Sequence, residues 1–212
     1  MAVVVFGAGG RVGRAVVAEA VRRGVPVTAA VRAPERHADL AGPGVTLVAC
    51  DAADPDAVAA AAAGHEAAVG SLYRADVPST GFYRSTTAGL VAGLGRAGVG
   101  RLVSVGVATT LATAPGVLVH DGPDFPAEYR AFSLGHSAAL DVLAAAPQAL
   151  DWVVVTPPMD LGHDGVRTGR YRVGAPVLPE GGGHISHADL AVAVLDEVTA
   201  PAHHREQIGV RA

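Results

Sequence analysis

"VVVFGAGGRVG", residues 3–13, decides how the rest of the chain is read. An apolar, β-branched run leads straight into a loop with four glycines. Such a run fits a strand buried on both faces. Three of the glycines are spaced Gly7-x-x-Gly10-x-x-Gly13, and Gly9 is extra. Glycine lets a backbone turn sharply and lets an anion come close to the amides. A helix opening at residue 11 then presents unpaired N–H groups and the positive end of its dipole. Strand, glycine loop and helix in that order form the context in which this spacing marks a dinucleotide site. A purely structural tight turn is the plainer reading of the same residues.

Outward from the loop, short apolar runs alternate with Ala-rich stretches. The runs are 2–6, 26–31, 45–50, 66–72, 101–107 and 151–156. Between them, Val12, Val16 and Ala20 share one helical stripe over 11–23, with Gly24 as a stop. "DPDA" opens a helix over 54–63 with an acidic cap and a proline in its first turn. Further helices are expected over 81–97 and about 127–146. Past 157 the chain turns Gly/Pro-rich, with one short strand near 170–174. A helix at 186–198 is introduced by Ser186, with Asp189 three residues on as in a capping box. The alternation predicts an α/β fold: a doubly wound, Rossmann-type parallel sheet with a small C-terminal substrate-binding region. One domain is expected over 1–212, with substrate-region insertions at about 107–130 and 158–185.

Composition narrows the function. The chain has 212 residues, enough for one well-buried domain, and a formal charge of -4 with scattered basic residues. Neither a nucleic-acid surface nor a membrane partner is expected. The first strand begins at Ala2 without a charged leader, so the expected location is cytoplasmic. Cys50 is the single cysteine, which excludes an internal disulfide. The nine histidines form no compact ligand set with cysteine or carboxylate, so no metal site is expected. All 16 basic residues are arginine. Any mechanism that needs an ammonium group is therefore unavailable.

The second strand bears on cofactor choice. A site for NAD usually ends that strand with an acid on the ribose hydroxyls. Here the chain reads "VRAPER", with Arg32 in that place, Arg36 nearby and Arg11 inside the glycine loop. A guanidinium suits the extra 2′-phosphate of NADP, so NADP is expected rather than NAD. A solvated loop charge is the alternative for Arg32. Asp51, after the third strand, either accepts from an adenine amino group or caps the following helix with Asp54.

"GAGGRVG", "VRAPER", "CDAADPDAVAAAAAGHEAAVGSL" and "AGVGRLVSVG" together resemble the atypical short-chain dehydrogenase/reductases. The branch is that of NAD(P)H-binding proteins described as NADH-flavin reductases. These are relatives of biliverdin-reductase-B-type flavin reductases and of NmrA-like proteins. The likeness continues through "LDWVVVTPPMDLGHDGVRTGRYRVG" and "HISHADLAVAVLDEV", and so covers nearly the whole chain. It implies a cofactor loop on Gly7, Gly10, Arg11, Val12 and Gly13, a 2′-phosphate contact on Arg32 and an adenine contact on Asp51. It also implies that Gly70, Ser71 and Leu72 line the adenosine and ribose. Val105 and Gly106 would approach the nicotinamide ribose, and Pro157 would back the nicotinamide.

At the reacting centre the chain departs from the wider superfamily, which uses a Tyr-x-x-x-Lys pair. Four residues after Tyr73, Tyr83, Tyr129 and Tyr171 stand Val77, Thr87, Ser133 and Ala175, and there is no lysine at all. The branch often carries "GGAGSL" after its fifth strand; here "GVATTL" puts Thr109 and Thr110 where a serine is expected. A flavin or quinone can take hydride with solvent supplying the proton, so such acceptors fit better than simple ketones. Where a proton donor is needed, His136 in the 127–146 helix is the first candidate, against a role in anchoring that helix. Tyr129 is placed to face the same pocket, and Thr110 to bond a substrate oxygen. Leu111, Val117, Leu118 and Phe125 point to a flat, apolar small molecule as the partner. The expected function is NADPH-dependent hydride transfer to a flavin-, quinone- or aromatic-ketone-like acceptor. The alternatives are an NmrA-like cofactor sensor without turnover and a non-redox enzyme of secondary metabolism on the same scaffold.

Overall fold

Val3–Phe6 (β1) pairs in parallel with Val27–Val31 (β2) on one side and with Ala67–Gly70 (β4) on the other. That placement makes β1 the pivot of the sheet. The computed structural model describes residues 1–162 and 165–212; His163 and Asp164, within the expected 158–185 segment, lie outside the described residues. Beyond β2 lies Val45–Ala49 (β3), and beyond β4 lie Arg101–Val105 (β5) and Asp151–Thr156 (β8). Glu206–Arg211 (β12) continues the parallel sheet, and Arg172–Gly174 (β10) closes it antiparallel to β12. The strand order is therefore β10-β12-β8-β5-β4-β1-β2-β3. The chain winds outward from β1 in both directions. In such a sheet a crevice opens beyond the carboxyl ends of β1 and β4.

Alternation within β1 shows why the strands are apolar throughout. Val3 and Val5 face one layer, with Val16, Val17 and Ala20 of Arg11–Arg22 (α1) and Leu190, Val194 and Leu195 of His187–Thr199 (α5). Val4 and Phe6 face the other layer. There they meet Val58 of Pro55–Ala62 (α2), Leu90 and Leu94 of Ser79–Ala97 (α3), and Leu143 of Ala127–Ala144 (α4). Helices on both faces complete the Rossmann-type arrangement. Among the described residues, no helix is long and apolar enough to cross a membrane.

Two segments carry more order than expected. The 107–130 segment, expected as a substrate-region insertion, holds a small antiparallel pair, Ala112–Ala114 (β6) with Val117–Leu118 (β7). Likewise Asp160–Gly162 (β9) and His184–Ser186 (β11) pair in parallel, with Ile185 opposite Leu161. Strands of two or three residues show no period in sequence, and only the tertiary pairing reveals them. The helix start at Ser186 forms half of a capping box. Ser186 Oγ accepts from the Asp189 amide at 3.0 Å. The Asp189 carboxylate turns instead to the 165–171 strap, accepting from the Thr168 and Gly169 amides at 2.9 and 2.8 Å.

A second anchor of that strap is Glu19, which is only 3% exposed. Its carboxylate accepts from Arg22 in the last turn of α1, from Arg23 at its C-cap and, at 2.8 Å, from Arg167 of the strap. These guanidiniums, Arg22 first, hold the Glu19 carboxyl far below its usual range. The unfolded chain therefore binds the proton first. This contribution to stability is complete above the ordinary glutamate value near 4.5 and is lost as the pH falls below it. We expect Glu19→Gln to cost about 2 kcal/mol at neutral pH, because three guanidiniums lose their buried partner. Denaturant unfolding at pH 7 and pH 4 measures this. The gap between the two proteins should narrow at the lower pH, and an unchanged gap would count against the assignment.

Candidate functional site

The glycine loop is shaped by two close approaches. Gly7 turns with φ +79°, and a Cβ there would overlap the Ser71 carbonyl at the end of β4. Gly13, in the first turn of α1, would overlap the Gly7 carbonyl, so the helix sits directly on the loop. Gly10 is different. It is the N-cap of α1 with ordinary backbone angles, and a Cβ there would meet only the Gly7 carbonyl, at 3.5 Å. The chain itself leaves room for a side chain at that position. The side chain would project into open space that borders both of the cavities described next.

One cavity, of about 310 Å³, lies over β1–β3 and is bordered by Gly7, Arg32, Arg36, His37 and Asp51. The other, of about 640 Å³, lies over β5 and β8 and is bordered by Arg11, Val12, Val105, Gly106, Pro157 and His136. Both are walled by Gly9, Gly10, Ser71, Leu72 and Tyr73, so they meet across the loop. A two-lobed ligand with an anionic bridge at Gly9–Gly10 fits this shape. A dinucleotide is such a ligand, and Gly10 is where it would exclude a side chain.

The expected residues fall into place unevenly. Asp51 borders the first cavity, with Oδ1 accepting from the Ala53 amide at 3.0 Å. Asp54, not Asp51, caps α2 by accepting from the Asp56 amide at 2.9 Å. Arg32 lies near Asp76, whose carboxylate is already paired with Arg74 at 2.7 Å and sits at about 2 mainly through that pair. Gly70 and Thr110 border only a small cavity of about 40 Å³ behind Leu72. Gly13 borders neither large cavity; it packs beneath the loop. Cys50 is buried, and desolvation, with Asp51 and Asp54 adding to it, pushes its thiol up to about 11. It is an inert wall.

The three candidates for the reacting centre differ in their surroundings. His136 does line the larger cavity, but burial pushes its pKa down to about 3. Burial thus favours the uncharged ring, which carries one N–H and not the imidazolium proton a general acid donates. Its ring lies 4.1 Å from Tyr83 and 4.8 Å from Phe132. Tyr129 is 59% exposed and borders neither large cavity. The Thr110 hydroxyl is fully engaged, donating to the Val107 carbonyl and accepting from Gln207 Nε2, both at 2.9 Å. Its neighbour Thr109 lines the larger cavity instead, and its buried hydroxyl has no hydrogen-bond partner among the described residues.

Several residues at the site were not expected. Tyr73 and Phe132 extend the aromatic wall, with ring centroids 5.8 Å apart. Tyr83 donates to the Leu72 carbonyl at 3.2 Å, and burial pushes its phenol upward. His187 lines the larger cavity and its Nδ1 donates to the Gly162 carbonyl at 2.7 Å. Two of these had a signal: Tyr73 directly follows Leu72, and Phe132 stands one helical turn before His136.

A family profile described as NAD(P)H-binding matches residues 7–201. A proposed exported protein from Burkholderia pseudomallei superposes with a TM-score of 0.87 at 35% identity, covering 100% of both chains. A proposed epimerase from Bacteroides thetaiotaomicron superposes with a TM-score of 0.87 at 31% identity, covering 99% of this chain and 95% of its own. A proposed NADH-flavin reductase from Streptococcus pneumoniae gives 0.81 at 28% identity, covering 100% of this chain and 99% of its own. The uncharacterized protein YwnB of Bacillus subtilis is 34% identical over 115 residues, which span 52% of this chain and 54% of that protein, about half of each.

Proposed function

This chain belongs to the NAD(P)H-binding family, and from that premise we propose that it is an NADPH-dependent oxidoreductase. Its acceptor is a flavin-, quinone- or aromatic-ketone-like molecule. The observation that carries this reading is the asymmetry of the two joined cavities. One end holds Arg32, Arg36 and Asp51; the other is walled by Phe132, His136, Val105 and Pro157. The Streptococcus pneumoniae relative supports the same reaction class.

In this reading the amides of the glycine loop and of the first turn of α1 hold the cofactor's diphosphate. Arg32 and Arg36 face its 2′-phosphate, and Asp51 accepts from the adenine. Val105, Gly106 and Pro157 bound the nicotinamide. When bound, the reduced nicotinamide supplies the hydride. The rings of Tyr73, Phe132 and His136 offer flat faces for an aromatic acceptor. Thr109 Oγ1, buried without a partner among the described residues, offers a hydrogen bond to an acceptor oxygen. No Tyr–Lys pair exists to protonate a ketone oxygen, so solvent supplies the proton. That favours flavins and quinones.

Oxidation of NADPH in the presence of FMN, riboflavin or small quinones tests the proposal. Turnover with at least one acceptor, faster with NADPH than with NADH, is expected. Tight NADPH binding with no oxidation of any acceptor would overturn it in favour of a cofactor sensor. A product formed equally well without NADPH would point to non-redox chemistry. His136→Phe separates wall from acid. Retained stacking should keep kcat within about threefold, whereas loss of a general acid costs roughly a hundredfold or more.

A further inference from the structure

The dinucleotide spacing requires Gly7, Gly10 and Gly13 but not Gly9. Gly9 has no positive φ and borders both cavities. The structure places the His37 ring against it: a Cβ on Gly9 would come within 2.5 Å of His37 Cε1 and 2.6 Å of Nε2. We propose that His37, seated on the bare backbone of Gly9, is a specificity-determining residue for the 2′-phosphate of the cofactor. This rests on the NADPH reading above.

Three observations orient the ring. Arg14 Nη2 lies 3.2 Å from His37 Nδ1, and a guanidinium can only donate. Nδ1 is therefore the acceptor, and the neutral ring carries its proton on Nε2. Arg14 is itself fixed, with Nε donating to the Gly9 carbonyl at 3.1 Å and Nη1 paired with Asp39. The same arginine thus ties the imidazole to the loop beneath it. Among the described residues nothing accepts from Nε2. His37 borders the smaller cavity together with Arg32 and Arg36. A phosphate monoester offers several acceptor oxygens and takes two guanidiniums and an imidazole N–H at once. The cofactor's diphosphate also passes near Gly9, so the two phosphate sources must be told apart.

Calorimetric titration with NADP+ and with NAD+, which share the diphosphate and differ only in the 2′-phosphate, does so, using the wild type, His37→Ala, His37→Gln, Gly9→Ala and the double variant His37→Ala with Gly9→Ala. Wild type should prefer NADP+. His37→Ala should weaken NADP+ about fivefold to tenfold and leave NAD+ within twofold. His37→Gln, which keeps an N–H donor, should recover part of the loss. Gly9→Ala should displace the ring and lower the preference for NADP+ over NAD+ by the same factor, and the double variant should lower that preference no further than His37→Ala alone. If wild type shows no preference between the two nucleotides, the NADPH reading fails. If wild type prefers NADP+ and His37→Ala keeps that preference in full, the role of His37 fails alone. Equal weakening of both nucleotides assigns His37 to the diphosphate and also overturns the proposal.

Discussion

Replacing Gly10 with valine should leave the protein folded and lower its affinity for NADPH about 100-fold or more. The fold tolerates the change because a Cβ at Gly10 meets nothing closer than the Gly7 carbonyl, at 3.5 Å, and the backbone angles suit any residue. The ligand does not, because the new side chain would stand where the two cavities meet. About 3 kcal/mol of lost binding corresponds to that ratio. Gly13→Ala is the contrast: its methyl strikes backbone of Gly7 and Ala8, which cannot swing aside, so stability should fall. Thermal melts with NADPH titrations on both variants check the pair. Equal melting loss in both would show that Gly10 serves the fold and not a ligand.

Reversing the charge at Arg32 should have a comparable effect on one cofactor only. Arg32→Glu is expected to weaken NADPH about 100-fold and to leave NADH within about threefold. A hydrogen bond between charged groups contributes about 1.5–3 kcal/mol, and the substituted carboxylate repels the same phosphate. The change should cost little stability, since Arg32 is exposed and Asp76 has Arg74 as its partner. Dissociation constants for both cofactors on both proteins give the answer. Equal loss for the two would remove Arg32 from the 2′-phosphate.

The architecture was largely legible because its signals are local. Apolar runs such as 3–6 and 151–156, glycine stops and the Ser186 cap each specify an element without reference to the rest of the chain. The glycine loop was legible for the same reason. The surroundings of the candidate reacting groups were not, because burial and competition for hydrogen bonds set them. His136 is on the expected helix and faces the cavity, yet its burial, with the Tyr83 and Phe132 rings against it, disfavours the charged form. Tyr129 is on the same helical face, but seven residues of helix is roughly 10 Å of travel, which carries it past the rim. Thr109 and Thr110 are identical in sequence terms; the Val107 carbonyl and Gln207 of β12 both engage the Thr110 hydroxyl, and the Thr109 hydroxyl has no partner among the described residues.

Isothermal titration of the wild-type protein with NADPH and, separately, NADH tests most directly whether the loop at residues 7–13 holds a dinucleotide. One equivalent of NADPH should bind with measurable heat and more tightly than NADH, and the heat should vanish in Gly10→Val. No heat from either nucleotide would contradict the account at its root.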